Sequence, residues 1–196
     1  MELTKMRAKF RKELSFNGRL SWEATDGKCY RLAAGFDGST PLRHTDGWIF
    51  AGPDTYTDVY GNIVNAKLVH IDFWFGCYVR SDDSYGFEIR SLTQDFGRRF
   101  YRGQLDVSRN GYLGLYSSPT PDDIGYSEAS APFWKFRGDP HERIEAGAKH
   151  KGITLIGPNN GMIKRLVEDN YAYLSETGGH DATFTLDITK VNVDRP

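Results

Sequence analysis

The apolar and polar positions alternate as they do in short strands joined by tight turns, and the clearest stretch is Ile153 to Ile188. Ala182-Thr-Phe184-Thr-Leu186-Asp-Ile188 alternates at period two, so one face of that strand is apolar and the other polar. Upstream, Ile153-Thr-Leu155, Met162 to Val167 and Tyr171-Ala-Tyr173-Leu174 read as three further strands. They are separated by Gly157-Pro-Asn-Asn-Gly161, Glu168-Asp-Asn170 and Gly178-Gly179, which carry the residues that tolerate the positive φ of tight turns. Four strands this short cannot bury their own apolar face, so the pattern predicts partners elsewhere in the chain.

Two earlier segments repeat the plan. Leu20-Ser-Trp22-Glu-Ala24, Phe87-Glu-Ile89 and Ile153-Thr-Leu155 start at intervals of 67 and 66 residues. Gly27, Gly97 and Gly161 mark the turns that follow. Next come Cys29-Tyr-Arg31-Leu32, Phe100-Tyr-Arg102 and Ile163-Lys-Arg165-Leu166, each apolar and basic. A turn then leads into an aromatic residue at Asp46-Gly-Trp48, Asn110-Gly-Tyr112 and Asp169-Asn-Tyr171. Each unit closes on an alanine followed by spaced apolar residues, ending at Ile71, Phe136 and Leu186, which the pattern predicts to be buried. The plainer alternative is an all-β chain of unrelated hairpins.

Three four-stranded units in this order resemble a β-trefoil of the fascin-like or agglutinin-like kind. The resemblance covers about residues 17 to 190, with units at about 20–73, 87–138 and 153–190 after a segment 1–16. It implies an all-β single domain. Ricin-type lectin domains close their units with Gln-x-Trp; Phe133-Trp-Lys-Phe136 and Phe184-Thr-Leu186 stand here instead, which counts against ricin-type sugar sites. The family spans lectins, actin-bundling proteins, inhibitors, growth factors and toxin targeting modules, so the fold would not name a function.

Composition narrows the classes. At 196 residues the chain fits one domain with a sizeable core. Its net charge of −1 supplies no global field for nucleic acid. Aromatics at 14% leave rings for a binding surface. No apolar run is long enough to span a bilayer, no secretory h-region follows the first basic residues, and Cys29 and Cys77 are too few for a disulfide framework. A cytoplasmic protein with two buried or half-buried free thiols is therefore expected. Leu3, Met6, Phe10 and Leu14 fall at helical spacing among Lys5, Arg7, Lys9, Arg11 and Lys12, which predicts a short amphipathic helix over residues 1–14; a terminal helix docked on the domain or frayed is favoured over membrane or partner contact. His141 to Lys149 could add one or two helical turns.

No catalytic constellation is visible: no P-loop, dinucleotide fingerprint, zinc spacing or nucleophile elbow, and no cofactor is expected. Cys77 would need a histidine beside it to act as a nucleophile. His70-x-Asp72 offers too few ligands for a metal and reads as structural. A non-enzymatic binding module leads, with a glycan or glycoprotein as partner, because an aromatic ring covers the C–H face of a sugar while Asp or Asn accepts from its hydroxyls. The candidate ligand-binding residues are Asp26, Arg43, His44, Asp46 and Trp48 in the first unit, Asn110 and Tyr112 in the second, and Asn170 and Tyr171 in the third, with the strongest site expected around Trp48. The rival class is a protein-interaction module using the loops 52–65 and 119–130, and a Cys/His-dependent enzyme or toxin domain is third.

Overall fold

A computed structural model describes residues 8–35, 47–57, 60, 62–65, 68–80, 84–94, 102–116, 133–138, 143–168 and 171–196. In chain order the strands of the first half are β1 (Lys9–Phe10), β2 (Phe16–Glu23), β3 (Cys29–Arg31), β4 (Ala33–Gly35), β5 (Ile49–Phe50), β6 (Thr55–Thr57), β7 (Ile63–Asn65), β8 (Leu68–His70) and β9 (Phe73–Val79). The second half adds β10 (Tyr85–Ser91), β11 (Gln104–Val107), β12 (Leu113–Tyr116), β13 (Lys135–Arg137), β14 (Lys149–Ile156), β15 (Lys164–Glu168), β16 (Tyr171–Ser175), β17 (His180–Asp181) and β18 (Phe184–Val191). The protein is all-β, and its ladders are antiparallel. No helix among the described residues is long and apolar enough to cross a membrane.

The long strands follow one another around a ring. β9 pairs with β2 along one edge and β10 along the other. β2 pairs with β18, β18 with β14, and β14 with β13. The circuit closes where Phe87 of β10 meets Trp134, the residue before β13. There each backbone N–H donates to the other residue's carbonyl at 2.8 Å. The inward residues of these strands, among them Leu20, Phe75, Phe87, Phe136, Leu155 and Leu186, form the main core cluster. Ile71, Phe136 and Leu186 all lie in it, at 0, 8 and 0% exposure, as the closing pattern predicts.

Three hairpins lie outside the ring: β4–β5, β11–β12 and β15–β16. Each touches the other two. Trp48, beside β5, bridges to Gly114 of β12; Tyr112, beside β12, bridges to Ser175 of β16; and Tyr173 of β16 pairs with Phe50 of β5. β6 and β7 form a separate two-stranded hairpin.

Several expectations need correction. Residues 8–14 are not helical. β1 pairs with the edge of β9, the Phe10 ring packs at a tilt against Tyr78 with ring centres 5.5 Å apart, and only Lys12–Leu14 makes a 3-10 turn. The available strand edge and the apolar shelf beside it hold this segment extended; residues 1–7 lie outside the described residues. The densely apolar stretch Phe73–Val79 forms a central ring strand, with Phe73, Phe75 and Cys77 in the main core. Of the predicted strand Phe100-Tyr-Arg102, Phe100 and Tyr101 lie outside the described residues, and the strand that follows is Gln104–Val107. Arg102 stands in a turn at φ 61, and Leu105 is the residue that reaches the core. Residues 143–148 turn at Gly147 (φ 88) without forming an α-helix, and His141 lies outside the described residues.

Candidate functional site

Where the three hairpins meet, their aromatic residues form a second cluster apart from the main core. Phe50, Tyr171 and Tyr173 are its buried members, and Trp48, Tyr112 and Leu68 pack against it half-buried. Local turns deliver the two outer rings: Gly47 at φ 81 precedes Trp48, and Gly111 at φ 88 precedes Tyr112. At Gly111 a side chain is excluded twice, since a Cβ would also meet Thr177 Oγ1 at 2.2 Å. The indole of Trp48 stacks on Tyr112 with ring centres 4.5 Å apart and planes 8° apart, and Tyr173 meets both rings edge-on at 5.5 and 5.8 Å. The Tyr112 hydroxyl donates to the Glu168 carboxylate, so an acid sits beside the stacked pair.

The structure therefore brings together Trp48, Tyr112 and Tyr171 from three distant stretches of sequence. Tyr171, at 4% exposure, packs against Phe50 and Tyr173 and offers no face to solvent. Asp26 is a turn residue. It is exposed, its Oδ2 pairs with the Lys28 ammonium at 2.8 Å, and its Oδ1 accepts from the Lys28 amide at 3.1 Å, which together hold its carboxyl below the usual range. Asn110 is an exposed turn residue whose carbonyl accepts from Thr177. Arg43, His44, Asp46 and Asn170 lie outside the described residues, as does the loop 119–130.

Other candidate chemistry resolves into structure. Cys29 is exposed, against the expectation of a buried or half-buried thiol, because the β2–β3 ladder ends at the surface; neither cysteine is in a disulfide. Cys77 faces the core, and burial pushes its thiol up to about 12, which removes it as a nucleophile near neutral pH. His70 sits 3.3 Å from Asp54, while Asp72 accepts from Arg19 and Arg31 at 2.8 Å each, so the two ends of His70-x-Asp72 serve different partners. Among the described residues no three His, Cys, Asp or Glu side chains gather as metal ligands.

Two arrangements have no counterpart in the sequence reading. On the outer face of β9 and β10, Glu88 is fully buried. It accepts from Tyr78 Oη at 2.9 Å, Arg90 Nε at 2.7 Å and Arg195 at 3.3 Å. At another place on the molecule, Arg165 of β15 lies over the Trp22 ring, with Cζ 4.1 Å from the ring centre. Glu88 at the centre of Phe87-Glu-Ile89 has the period of a solvent-facing position, so nothing local marks it as buried. The Trp22–Arg165 contact joins residues at opposite ends of the chain. In comparisons with protein-family models, curated proteins and solved structures, no match to this chain is found.

Proposed function

We propose that this chain is a non-enzymatic binding module on a β-trefoil scaffold and that it binds carbohydrate at the rim of its three-hairpin cap. The scaffold reading is supported by the circuit of long strands and by the three hairpins that each touch the other two. The observation that carries the binding reading is the Trp48–Tyr112 pair: stacked, half-exposed, and hydrogen-bonded to Glu168. A sugar ring needs an apolar surface for its C–H face and a fixed acceptor for its hydroxyls, and this rim offers both within one hydrogen bond. Because Tyr112 covers one face of the indole, the sugar contacts what the pair leaves open and does not enter between the rings.

Trp48→Ala tests this directly. On a glycan array and by calorimetry the wild-type chain should bind at least one glycan, and the folded variant should bind it about tenfold or more weakly, the loss of one aromatic contact. Unchanged binding by the folded variant excludes this rim, and a wild-type chain silent across the array overturns the glycan reading.

A second reading, protein interaction through residues 52–65, is favoured by the β6–β7 hairpin. It carries Tyr60 at 86% and Ile63 at 81% exposure, the two most exposed large apolar residues among those described. Singly exposed apolar side chains are common on protein surfaces, so this weighs less than the ordered pair at the cap.

A further inference from the structure

Arg165 is held unusually firmly for a half-buried arginine. On β15 it stands opposite Leu174 of β16 on one side and His180 of β17 on the other. Its Nε–H donates to the Ala51 carbonyl at 2.7 Å, and its guanidinium lies over Trp22, itself stacked on Tyr30 with ring centres 5.7 Å and planes 21° apart. The hydrogen bond fixes one side of the guanidinium fork and the indole supports its plane. Neither contact neutralises its charge.

Two other inward-leaning arginines among the described residues do have counter-ions. Arg90 is paired with Glu88, and Arg31 with Asp72. Arg165 makes no ion pair with any described residue, and burial pulls its pKa below the usual arginine range, with only the Tyr30 phenol acting the other way. A half-buried cation without a counter-ion costs free energy unless something else supplies the negative charge. The fold spends a hydrogen bond, an aromatic face and a glycine on keeping it there. A Cβ at Gly52 would sit 3.3 Å from Arg165 Nη2.

With Nε committed to Ala51, the end-on Nη1–Nη2 edge is the part of the fork left for a ligand. Two parallel N–H donors on a single positive charge match one planar carboxylate, which such an edge grips through two hydrogen bonds. His180, leaving its strand on the same face directly opposite Arg165 and exposed, adds a ring nitrogen at the rim. We propose that the Nη1–Nη2 edge of Arg165, backed by Trp22, is a binding site for the carboxylate of a small ligand. This site is separate from the Trp48–Tyr112 rim and does not depend on the glycan reading.

The experiment follows the Arg165 side-chain nitrogens by NMR in protein labelled with 15N-arginine. Sodium propionate and sodium glucuronate are titrated at constant ionic strength, with sodium chloride and glucose as controls. Both carboxylates should shift the Arg165 signals saturably and the controls should not. A folded Arg165→Lys variant, followed through backbone amides around Trp22, should bind about tenfold more weakly, because an ammonium keeps the charge but lacks the fork. Glucuronate tighter than propionate assigns the carboxylate to an acidic sugar, and equal affinity assigns it to the carboxylate alone. Absence of saturation by about 100 mM, a concentration at which binding carries almost no free energy, overturns the proposal, as does an equal shift with chloride. The wild-type signal decides the matter even where the lysine variant fails to fold.

Discussion

On the inner face of the β9–β10 ladder, Phe73, Phe75, Cys77, Phe87 and Ile89 are buried with no charge among them. The outer face of the same two strands buries Trp74 and Tyr78 beside Glu88 and Arg90. Alternate residues of one ladder thus enter two different environments. The inner face is held by area and close packing, whose cost scales with the atoms removed. The outer face is held by a carboxylate that tyrosine and arginine donors surround, and that arrangement is stable only with its members present. Burial alone does not distinguish the two faces; what each buried group touches does.

The difference breaks most visibly at Glu88. Glu88→Ala should cost about 3–5 kcal/mol, because it leaves Arg90 buried without its carboxylate. A Glu88→Met, Arg90→Met double variant should recover most of that loss in urea unfolding. A double variant as unstable as the single one would show that the network is not acting as a unit. The inner face should respond in proportion instead: Ile89→Val removes one methylene and should cost roughly 0.5–1.5 kcal/mol, with no second substitution needed to explain it. The smallest effect is chemical. In native protein at pH 8 a thiol reagent should modify Cys29 alone, and Cys77 should react only on unfolding, since burial holds its thiol at about 12. Two fast thiols in the native state would place Cys77 outside the core.

The legible parts of the fold were those with local signals. Alternation marked β18, and Asp46-Gly47 and Asn110-Gly111 marked the turns before Trp48 and Tyr112, where both glycines do adopt positive φ. β9 is buried on both sides, so Phe73-Trp-Phe-Gly-Cys77-Tyr does not alternate: its apolar density points to the core, but it carries no strand period. Phe10 lies on a helical stripe by spacing, but a free strand edge and the rings of Trp74 and Tyr78 decide its conformation. At the candidate site the sequence supplied the two outer rings and not Glu168, because the acid that meets Tyr112 comes from another hairpin. Arg165 was visible only as one basic residue in a strand; its partners are set by tertiary contact with residues 22 and 51.

The pairing of β2 with β18 also bears on how the chain reaches this state. Phe16 stands opposite Val191 and Leu20 opposite Leu186, and β2 is in turn the neighbour of β9. Closing so large a loop loses much chain entropy before the contacts it enables can compensate, which places such chains among the slow folders, on the order of milliseconds to seconds. During synthesis β2 emerges before β18 and cannot complete its ladder until β18 has left the ribosome. In that interval the apolar side of β2, with Phe16 and Leu20, stays uncovered along the edge that β18 will occupy, and a nascent chain is most vulnerable to association there.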